Sequence, residues 1–244
     1  PGMILEVHSS LSSFGYVLGG AQAVVNALMK TVGKEGTIVM PMQTTDNTEP
    51  SEWVNPPVEP EMCQLIREAM PAFDRRGSDT RGMGKIVENF RRRDGVVISA
   101  HPAYSYGAWG KHAKPIRNRH SLHFGLSSES PTSRLYELQG YVLLLGVDYD
   151  SCTCMHLAEY LTECRPIKVM GSSLYADGKK VWKKYLDLDT NCDDFLMVGQ
   201  KMEEAGKVKK IKIGNCTATL FKVSDAVDHA AHYLEGTCVY DLYR

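Results

Sequence analysis

Short apolar runs alternate with longer amphipathic segments in the first part of the chain. Residues 3–7 form an apolar run of strand length, followed by a serine- and glycine-rich stretch over 8–15. In residues 21–32, apolar side chains recur every three or four positions, which is typical of one helix face, and Gly33 follows where glycine often ends a helix. Residues 37–40 are a second apolar run. The order strand, loop, helix, strand predicts a βαβ unit in an α/β sheet.

The rest of the chain continues this alternation. The pattern predicts helices over 60–70, 82–93, 131–138, 153–161, 195–204 and 223–234, and strands over 96–99, 141–147 and 211–221. The run 141–147 is continuously apolar, which indicates a central strand buried on both faces. Asp177-Gly178 lies between two alternating segments and predicts a hairpin. Residues 43–60 are polar and rich in proline, which predicts a long loop. No repeat or linker divides the chain, so we expect one domain over residues 1–244.

Composition narrows the class of protein. Of 244 residues, 43% are hydrophobic, and the net charge is −1. This balance argues against disorder and against a general nucleic-acid binder. No run approaches the roughly 20 apolar residues of a membrane helix, and the start has no signal-peptide pattern. Because the chain opens directly on a strand, we expect residues upstream of it. The seven cysteines favour reduced thiols in a cytoplasm over a disulfide framework.

Three segments carry candidate chemistry, and the first is the loop that starts at His8. A serine-rich loop between a strand and a helix can offer hydroxyl and N–H groups to a phosphate. It matches neither glycine-rich nucleotide fingerprint, and an ordinary loop with capping serines explains it equally. The second segment, residues 99–105, places His101 after another strand, where a packed histidine fits at least as well. Residues 111–123 are polar and basic, which is typical of a solvated loop.

The third segment, residues 146–160, joins the most apolar strand to a helix. His156 and Glu159 are spaced i,i+3 and share one helix face, so the carboxylate can orient the imidazole as a general base. A surface pair or a metal site is the alternative, but H-E-x-x-H is absent. Cys152 and Cys154 form a C-x-C without a second pair, so no zinc motif is predicted, while a cysteine nucleophile stays open. The G-x-S-x-G elbow of α/β-hydrolases is also absent.

Together these segments resemble the aminoglycoside 3-N-acetyltransferase family, especially its bacillus-type branch. The matching stretches follow the family's order over residues 7–160, and the resemblance weakens beyond them. They are VHSSLSSFGYVLGGAQAVVNAL, GTIVMP, TRGMGKIVENFRRR, SAHPAYSYGAWGKHA, FGLSSESPTSRLYEL and YVLLLGVDYDSCTCMHLAEY.

The resemblance implies a fold and an activity. The fold is a single α/β domain with a central mixed β-sheet flanked by helices, different from the common GNAT fold, here without the family's N-terminal helix. The activity is acetyl transfer from acetyl-coenzyme A to the 3-amino group of the 2-deoxystreptamine ring of an aminoglycoside. The alternatives are transfer to another small amine and a non-catalytic coenzyme A-binding protein. No metal, nucleic acid or membrane partner is expected, and a homodimer is the candidate assembly.

The resemblance also implies site residues. The catalytic histidine falls on His156, with Thr153 before it, His8 beside the thioester, and Glu159 or a nearby aspartate as the partner of His156. The implied coenzyme site comprises His8, Ser9, Ser10, Leu11, Phe14, Gly15, Arg81, Met83, Gly84, His101 and Ser105. Because an aminoglycoside is polycationic, carboxylates are expected to bind it, and the candidates are Asp46, Glu49, Glu52, Asp148, Asp150 and Glu159.

Overall fold

The computed structural model describes residues 1–44, 46–80 and 82–237. The helices in these ranges are α1 (Gly20–Val32), α2 (Pro60–Ala69), α3 (Gly84–Arg91), α4 (Ala113–Arg117), α5 (Pro131–Glu137), α6 (His156–Leu161), α7 (Phe195–Glu204) and α8 (Val223–Thr237). The strands are β1 (Ile4–Ser9), β2 (Thr37–Pro41), β3 (Val97–Ile98), β4 (Tyr106–Gly110), β5 (Tyr141–Leu145), β6 (Ile167–Ala176), β7 (Lys179–Leu188), β8 (Lys209–Ile213) and β9 (Cys216–Lys222).

A seven-stranded mixed sheet forms the centre of the fold. Its strand order is β3-β4-β2-β1-β5-β9-β8. β1 pairs in parallel with β2 on one side and with β5 on the other, and the remaining pairs are antiparallel. The predicted βαβ unit is therefore confirmed, with α1 as the connection between β1 and β2. The mixed sheet that the resemblance implied is confirmed as well.

Both faces of the sheet are covered by helices. Successive strand residues point to opposite faces, so neighbouring residues of β2 enter different cores. Ile38 packs in a buried cluster with Val25 of α1 and Phe90 of α3. Val39 joins the other cluster, which includes Val227 of α8. A strand that is buried on both faces has a continuous run of apolar residues in its sequence. This explains why the pattern of residues 141–147 predicted an interior strand.

A separate two-stranded hairpin of β6 and β7 lies beside the sheet. Asp177 and Gly178 form its turn with φ of 50° and 74°, the left-handed backbone that Asp-Gly favours in two-residue turns. The hairpin also forms hydrogen bonds with the proline-rich loop of residues 43–60. The side-chain amide of Asn47 donates to the carbonyl of Ser173 at 2.9 Å and accepts from its N–H at 2.8 Å. The predicted hairpin is confirmed, and this loop is anchored to it.

Three elements differ from the pattern-based prediction. β4 was not predicted, because its sequence YGAWG lacks alternation. The small Gly107 is required there, since the side chain of Met42 fills the space that a Cβ would take. α4 lies within the stretch predicted as a loop, and Pro115 inside it concealed the helix. The helix predicted over 153–161 begins with a 3₁₀ turn at Thr153–Met155 before α6.

In the part of the chain that the structure describes, every helix is too short or too polar to cross a membrane.

Candidate active site

A cleft of about 330 Å³ opens at the edge of the sheet where β1, β2 and β5 end. Because these three strands are parallel, the loops after them meet at this edge, where open α/β sheets bind their ligands. Residues next to α3 and α7 complete the walls. The lining residues are Val7, His8, Ser9, Pro41, Gln43, Gly82, Met83, Val87, Val147, Asp150, Ser151, Thr153, His156 and Cys192.

A histidine–carboxylate pair lies in the wall of the cleft. His156 begins α6, and its Nδ1 is 2.6 Å from Oε2 of Glu159, one turn later. The His156 side chain is 17% exposed, whereas that of Glu159 is 0% exposed. The ring of Phe195 packs against the imidazole with 4.8 Å between centroids. The imidazole therefore faces the cleft with its carboxylate partner behind it.

The second oxygen of Glu159 is held by other donors. Nε of Arg165 donates to Oε1 at 2.5 Å, and the backbone N–H of Asn191 donates to the same atom at 2.9 Å. A carboxylate that receives these donors acts as an acceptor toward the imidazole too, so Nδ1 of His156 carries the proton. The lone pair is then on Nε2. This arrangement orients a neutral imidazole to accept a proton, as a general base must.

The structure identifies the partner of His156 among the three carboxylates. Glu159 makes the hydrogen bond, while Oδ1 of Asp148 accepts the N–H of Tyr149 at 2.8 Å in a turn outside the cleft lining. Asp150 is exposed and lines the cleft. Because Glu159 is buried and both of its oxygens accept hydrogen bonds, it lies behind His156 and not on the wall where a solvated substrate would meet a carboxylate.

The opposite wall comes from the end of β1 and the start of α3. His8 and Ser9 line this wall together with Gly82 and Met83. Oγ of Ser9 is buried, and no hydrogen-bond partner for it exists among the described residues. Gly84 has φ of 87°, in the left-handed region that favours glycine, and a Cβ on it would lie 3.8 Å from the Ser9 carbonyl oxygen. The backbone at Gly84 thus lies close to the first loop. The Ser9 hydroxyl is free to bind a ligand.

Comparison with known proteins agrees with this geometry. Residues 7–235 match the family described as aminoglycoside 3-N-acetyltransferase. The SPbeta prophage-derived aminoglycoside N(3')-acetyltransferase-like protein YokD of Bacillus subtilis (strain 168) is 49% identical over 230 residues, which cover 94% of this chain and 85% of that protein. The chain belongs to the aminoglycoside 3-N-acetyltransferase family.

Solved structures of the family support the same conclusion. The crystal structure of YokD from Bacillus subtilis superposes with a TM-score of 0.94 at 46% identity, covering 98% of this chain and 90% of that one. A binary complex of AAC-IIIb with CoASH superposes with a TM-score of 0.85 at 26% identity, covering 98% of this chain and 92% of that one. The family membership and the fold that the sequence resemblance implied are confirmed.

Two residues that the family resemblance placed at the coenzyme site lie away from the cleft. His101 is 1% exposed, and its Nδ1 accepts the backbone N–H groups of Ala103 and Tyr104. Burial, and secondarily the nearby His120, lower the pKa of His101 to about 3, so it is neutral. Ser105 is 2% exposed and donates its hydroxyl to the carbonyl of Met42 at 2.6 Å. Both side chains make hydrogen bonds within the fold. His101 is therefore a packed histidine, which was the alternative interpretation of this residue.

The remaining expected coenzyme residues divide between the cleft and its surroundings. Oγ of Ser10 lies 3.0 Å from Oγ of Ser12 in the first loop. Next to it, Leu11 and Phe14 pack against the core beside α1, and Gly15 has φ of 77°. Arg81 lies outside the described residues.

The expected acidic residues of the proline-rich loop do not line the cleft. Asp46 and Glu52 are exposed on the loop, outside the lining residues. Glu49 is 7% exposed and bound by Arg67, whose Nη2 is 2.5 Å from its Oε1. Burial raises the pKa of Glu49, but the hydrogen bonds from Arg67 and Ser51 outweigh it and hold the pKa below the ordinary value. Asp150 is therefore the carboxylate best placed to meet a cation in the cleft.

The cysteine alternative loses support in this family member. Cys152 and Cys154 are 0% exposed and do not line the cleft, and burial, followed by the Cys152 thiol, raises the pKa of Cys154 well above its ordinary value. Cys192 does line the cleft. Burial raises the pKa of its thiol too, and the nearby acidic side chains add to this effect. A nucleophilic cysteine needs a lowered pKa instead.

Sequence reasoning missed the residues that support the pair. Arg165 and Asn191 precede and follow the β6–β7 hairpin, and Phe195 begins α7. These residues are distant from His156 in sequence or lie in irregular segments. Neither hydrophobic periodicity nor a sequence motif therefore indicated that they contact the pair. Gln43 on the cleft wall begins the loop of residues 43–60, which was expected to shape the acceptor pocket, but Gln43 itself was not singled out because the loop carries no recognisable motif.

Proposed function

We propose that this chain transfers the acetyl group of acetyl-coenzyme A to the 3-amino group of an aminoglycoside, with His156 as the general base. Family membership and the CoASH-bound relative AAC-IIIb support the reaction class and the donor. The observation that carries the proposal is the hydrogen bond between Nδ1 of His156 and Glu159 on the wall of the cleft. No metal takes part in this reaction as proposed.

The reaction begins with a proton transfer. The acceptor is an ammonium in water and must lose a proton before it can attack a thioester. Nε2 of His156 accepts that proton, and Glu159 stabilises the imidazolium that forms. The amine nitrogen then forms a bond to the thioester carbonyl carbon.

The second step releases coenzyme A. The carbonyl oxygen becomes an oxyanion, for which the hydroxyl of Thr153 and the N–H groups of the first loop are the candidate donors. When the tetrahedral intermediate collapses, the carbon–sulfur bond breaks and the thiolate leaves. The imidazolium gives its proton to the leaving sulfur, which yields the free thiol and regenerates the base. The nitrogen, which carries one extra proton after the attack, loses that proton to solvent and becomes the neutral amide.

The two walls of the cleft suit the two substrates. Ser9, Met83 and Gly84 lie on the wall beside the first loop, where the resemblance places the coenzyme, and His8 lies next to them. Ser10 in the first loop is a candidate for its phosphates, and Arg81, which the resemblance assigns to the coenzyme site, is a second candidate. Asp150 lies on the wall with His156 and is the proposed carboxylate for the cationic sugar.

Free-thiol release from acetyl-coenzyme A, measured with a panel of aminoglycosides, tests this proposal. We expect turnover with at least one aminoglycoside and a loss of about a hundredfold or more in His156→Gln, because general-base catalysis contributes on that scale. His229→Gln, on α8 and outside the cleft, is the matched control and should keep wild-type turnover. Turnover in His156→Gln within about threefold of wild type would reject the base assignment. Turnover only with other small amines would reject the aminoglycoside.

A further inference from the structure

Behind the cleft, three metal-binding side chains, Glu6, Cys152 and Cys154, converge on one buried point, and a fourth, His8, lies beside Glu6 at the cleft wall. Glu6 and His8 are two residues apart on β1 and so share one face of the sheet. Glu6, Cys152 and Cys154 are each 0% exposed, and His8 is 9% exposed. One oxygen of Glu6 and the two sulfur atoms all lie within 4.8 Å of one another. Nε2 of His8 is 3.6 Å from Oε1 of Glu6.

The polar atoms of this cluster lack the partners that their burial requires. Within residues 1–44, 46–80 and 82–237, neither oxygen of Glu6 has a partner in hydrogen-bond geometry, nor does Nε2 of His8, and the Glu6 carboxyl interacts with the neighbouring thiol of Cys154. The separation of 3.6 Å between Glu6 and His8 is too long for a hydrogen bond. A buried ionised carboxylate without hydrogen bonds is strongly unfavourable, so such a group is either neutralised by a proton or compensated by a cation. An ion pair with His8 alone would leave the second oxygen and both thiols without a role.

The spacing of the ligand atoms suits a tetrahedral ion. In a tetrahedral zinc site with bonds of about 2.0–2.3 Å, the ligand atoms are about 3.3–3.8 Å apart. The two sulfur atoms are separated by 3.4 Å, inside that range. The 3.6 Å between Glu6 and His8 falls inside it.

We propose that Glu6, His8, Cys152 and Cys154 form a structural Zn²⁺ site. Two thiolates and an imidazole favour zinc over the hard cations Mg²⁺ and Ca²⁺. Four protein ligands fill the tetrahedron and leave no open position, so the ion is structural and takes no part in acetyl transfer. Binding breaks the S–H bonds of both thiols and releases their protons to solvent, with no change in oxidation state.

The ion joins two parts of the chain that the candidate active site needs. Two of the proposed ligands, Glu6 and His8, lie on β1. The two cysteines flank Thr153 in the turn that leads to His156. This zinc site departs from the expectation that no metal binds. That expectation came from the family resemblance together with the C-x-C spacing. The spacing contains only half of the proposed ligand set, because the other two ligands come from β1. The proposal does not depend on the identity of the acetyl acceptor.

Metal analysis of the purified chain tests the proposal. The chain is produced in zinc-supplemented medium, freed of any histidine tag and passed through a mild chelating resin. Inductively coupled plasma mass spectrometry is expected to find about one zinc per chain, as for a single structural site. In the double variant Cys152→Ser, Cys154→Ser and in Glu6→Gln, zinc should fall at least about fivefold, since a structural site needs its full ligand set. Cys216→Ser removes a buried thiol elsewhere and should retain zinc.

Cobalt substitution of the wild-type chain tests the proposed site even where a variant does not fold. Adding CoCl₂ to metal-free wild-type chain should produce thiolate-to-cobalt charge-transfer absorption and the intense visible bands of a tetrahedral ion. Removal of zinc by a strong chelator should lower the Tm by at least about 5 °C. The proposal is overturned by zinc below about 0.1 per chain, against the single site expected. It is equally overturned by zinc that the double cysteine variant retains, or by an octahedral cobalt spectrum without charge transfer.

Discussion

Arg165 and Glu159 form a charged contact directly behind the cleft, with Nε of Arg165 2.5 Å from Oε1 of Glu159. The Arg165 side chain is 13% exposed and that of Glu159 is 0% exposed. Burial alone would lower the pKa of Arg165, but its hydrogen bond and charge interaction with Glu159 raise it above the ordinary value. The carboxylate that orients His156 is therefore itself held in place by a cation.

Replacement of Arg165 should therefore destabilise the fold and slow the reaction. Arg165→Met leaves Glu159 buried without its charged partner, and we expect a loss of about 2–3 kcal/mol in the free energy of unfolding. This lies below the cost for a fully buried pair because Arg165 keeps some exposure. Urea titration measures it. Arg92→Met, which removes a cation from an ion pair in which Arg92 is 75% exposed, is the control and should cost at most about 1 kcal/mol. Equal losses in the two variants would contradict this interpretation.

Replacement of Glu159 by glutamine should lower kcat and spare the binding of acetyl-coenzyme A. The amide can donate to Nδ1 and so favour the tautomer whose Nε2 carries the proton and cannot act as a base. We expect kcat to fall at least about tenfold, with KM for acetyl-coenzyme A unchanged within about twofold. Steady-state kinetics measures both. Glu163→Gln, at an exposed position nearby, should leave kcat unchanged. A rise in KM with constant kcat would show that Glu159 serves binding and not the base.

The histidines show how far sequence reasoning reaches. His156 and Glu159 could be paired in advance, because a spacing of i,i+3 on a helix brings side chains together whatever the tertiary context. His101 also follows a strand, yet it is buried beside His120 with 4.9 Å between ring centroids. Local pattern does not separate a histidine that faces a cleft from one that packs in a core. That difference depends on which distant segments cover it.

The same limit applies to the sheet and to the charged neighbours. The βαβ unit could be predicted because each of its elements has its own periodicity. β4 could not, since the space around Gly107 is set by Met42 from a different strand end. Arg165 and Asn191 reach Glu159 only once the β6–β7 hairpin has folded back. Likewise, Cys152 and Cys154 show their relation to Glu6 only when β1 and β5 are paired.

Neutralising Asp150 should weaken binding of a cationic acceptor. Asp150 is exposed on the cleft wall that carries His156. In Asp150→Asn we expect KM for the aminoglycoside to rise about threefold to tenfold, with a smaller change in kcat, because a solvated charge contact contributes about 1 kcal/mol. The difference from wild type should shrink as salt is added. Glu204→Gln, an exposed charge change on α7, is the control and should leave KM unaltered. A KM in Asp150→Asn that matches wild type at low salt would remove Asp150 from the acceptor site.

Acid should destabilise the fold through the buried His101 and the half-buried His120. Burial, and secondarily His120, lower the pKa of His101 to about 3, and burial lowers that of His120 to about 4. Below the unfolded value of about 6.5, the unfolded chain binds protons that the folded chain refuses. Stability is therefore present above about pH 6.5 and falls as the pH drops towards these values, by up to about 1.4 kcal/mol per pH unit for each histidine.

Urea titrations between about pH 4 and pH 7 measure this slope. His120→Asn removes one of the two titrating groups, so its slope should be shallower than that of wild type by up to about 1.4 kcal/mol per pH unit. His232→Asn, at an exposed position on α8, removes a histidine that is not buried and should keep the wild-type slope. The comparison of slopes separates the buried histidines from the carboxylates, which titrate in all three proteins. If His120→Asn and wild type lost stability in parallel on acidification, the lowered pKa of His120 would not contribute to the slope.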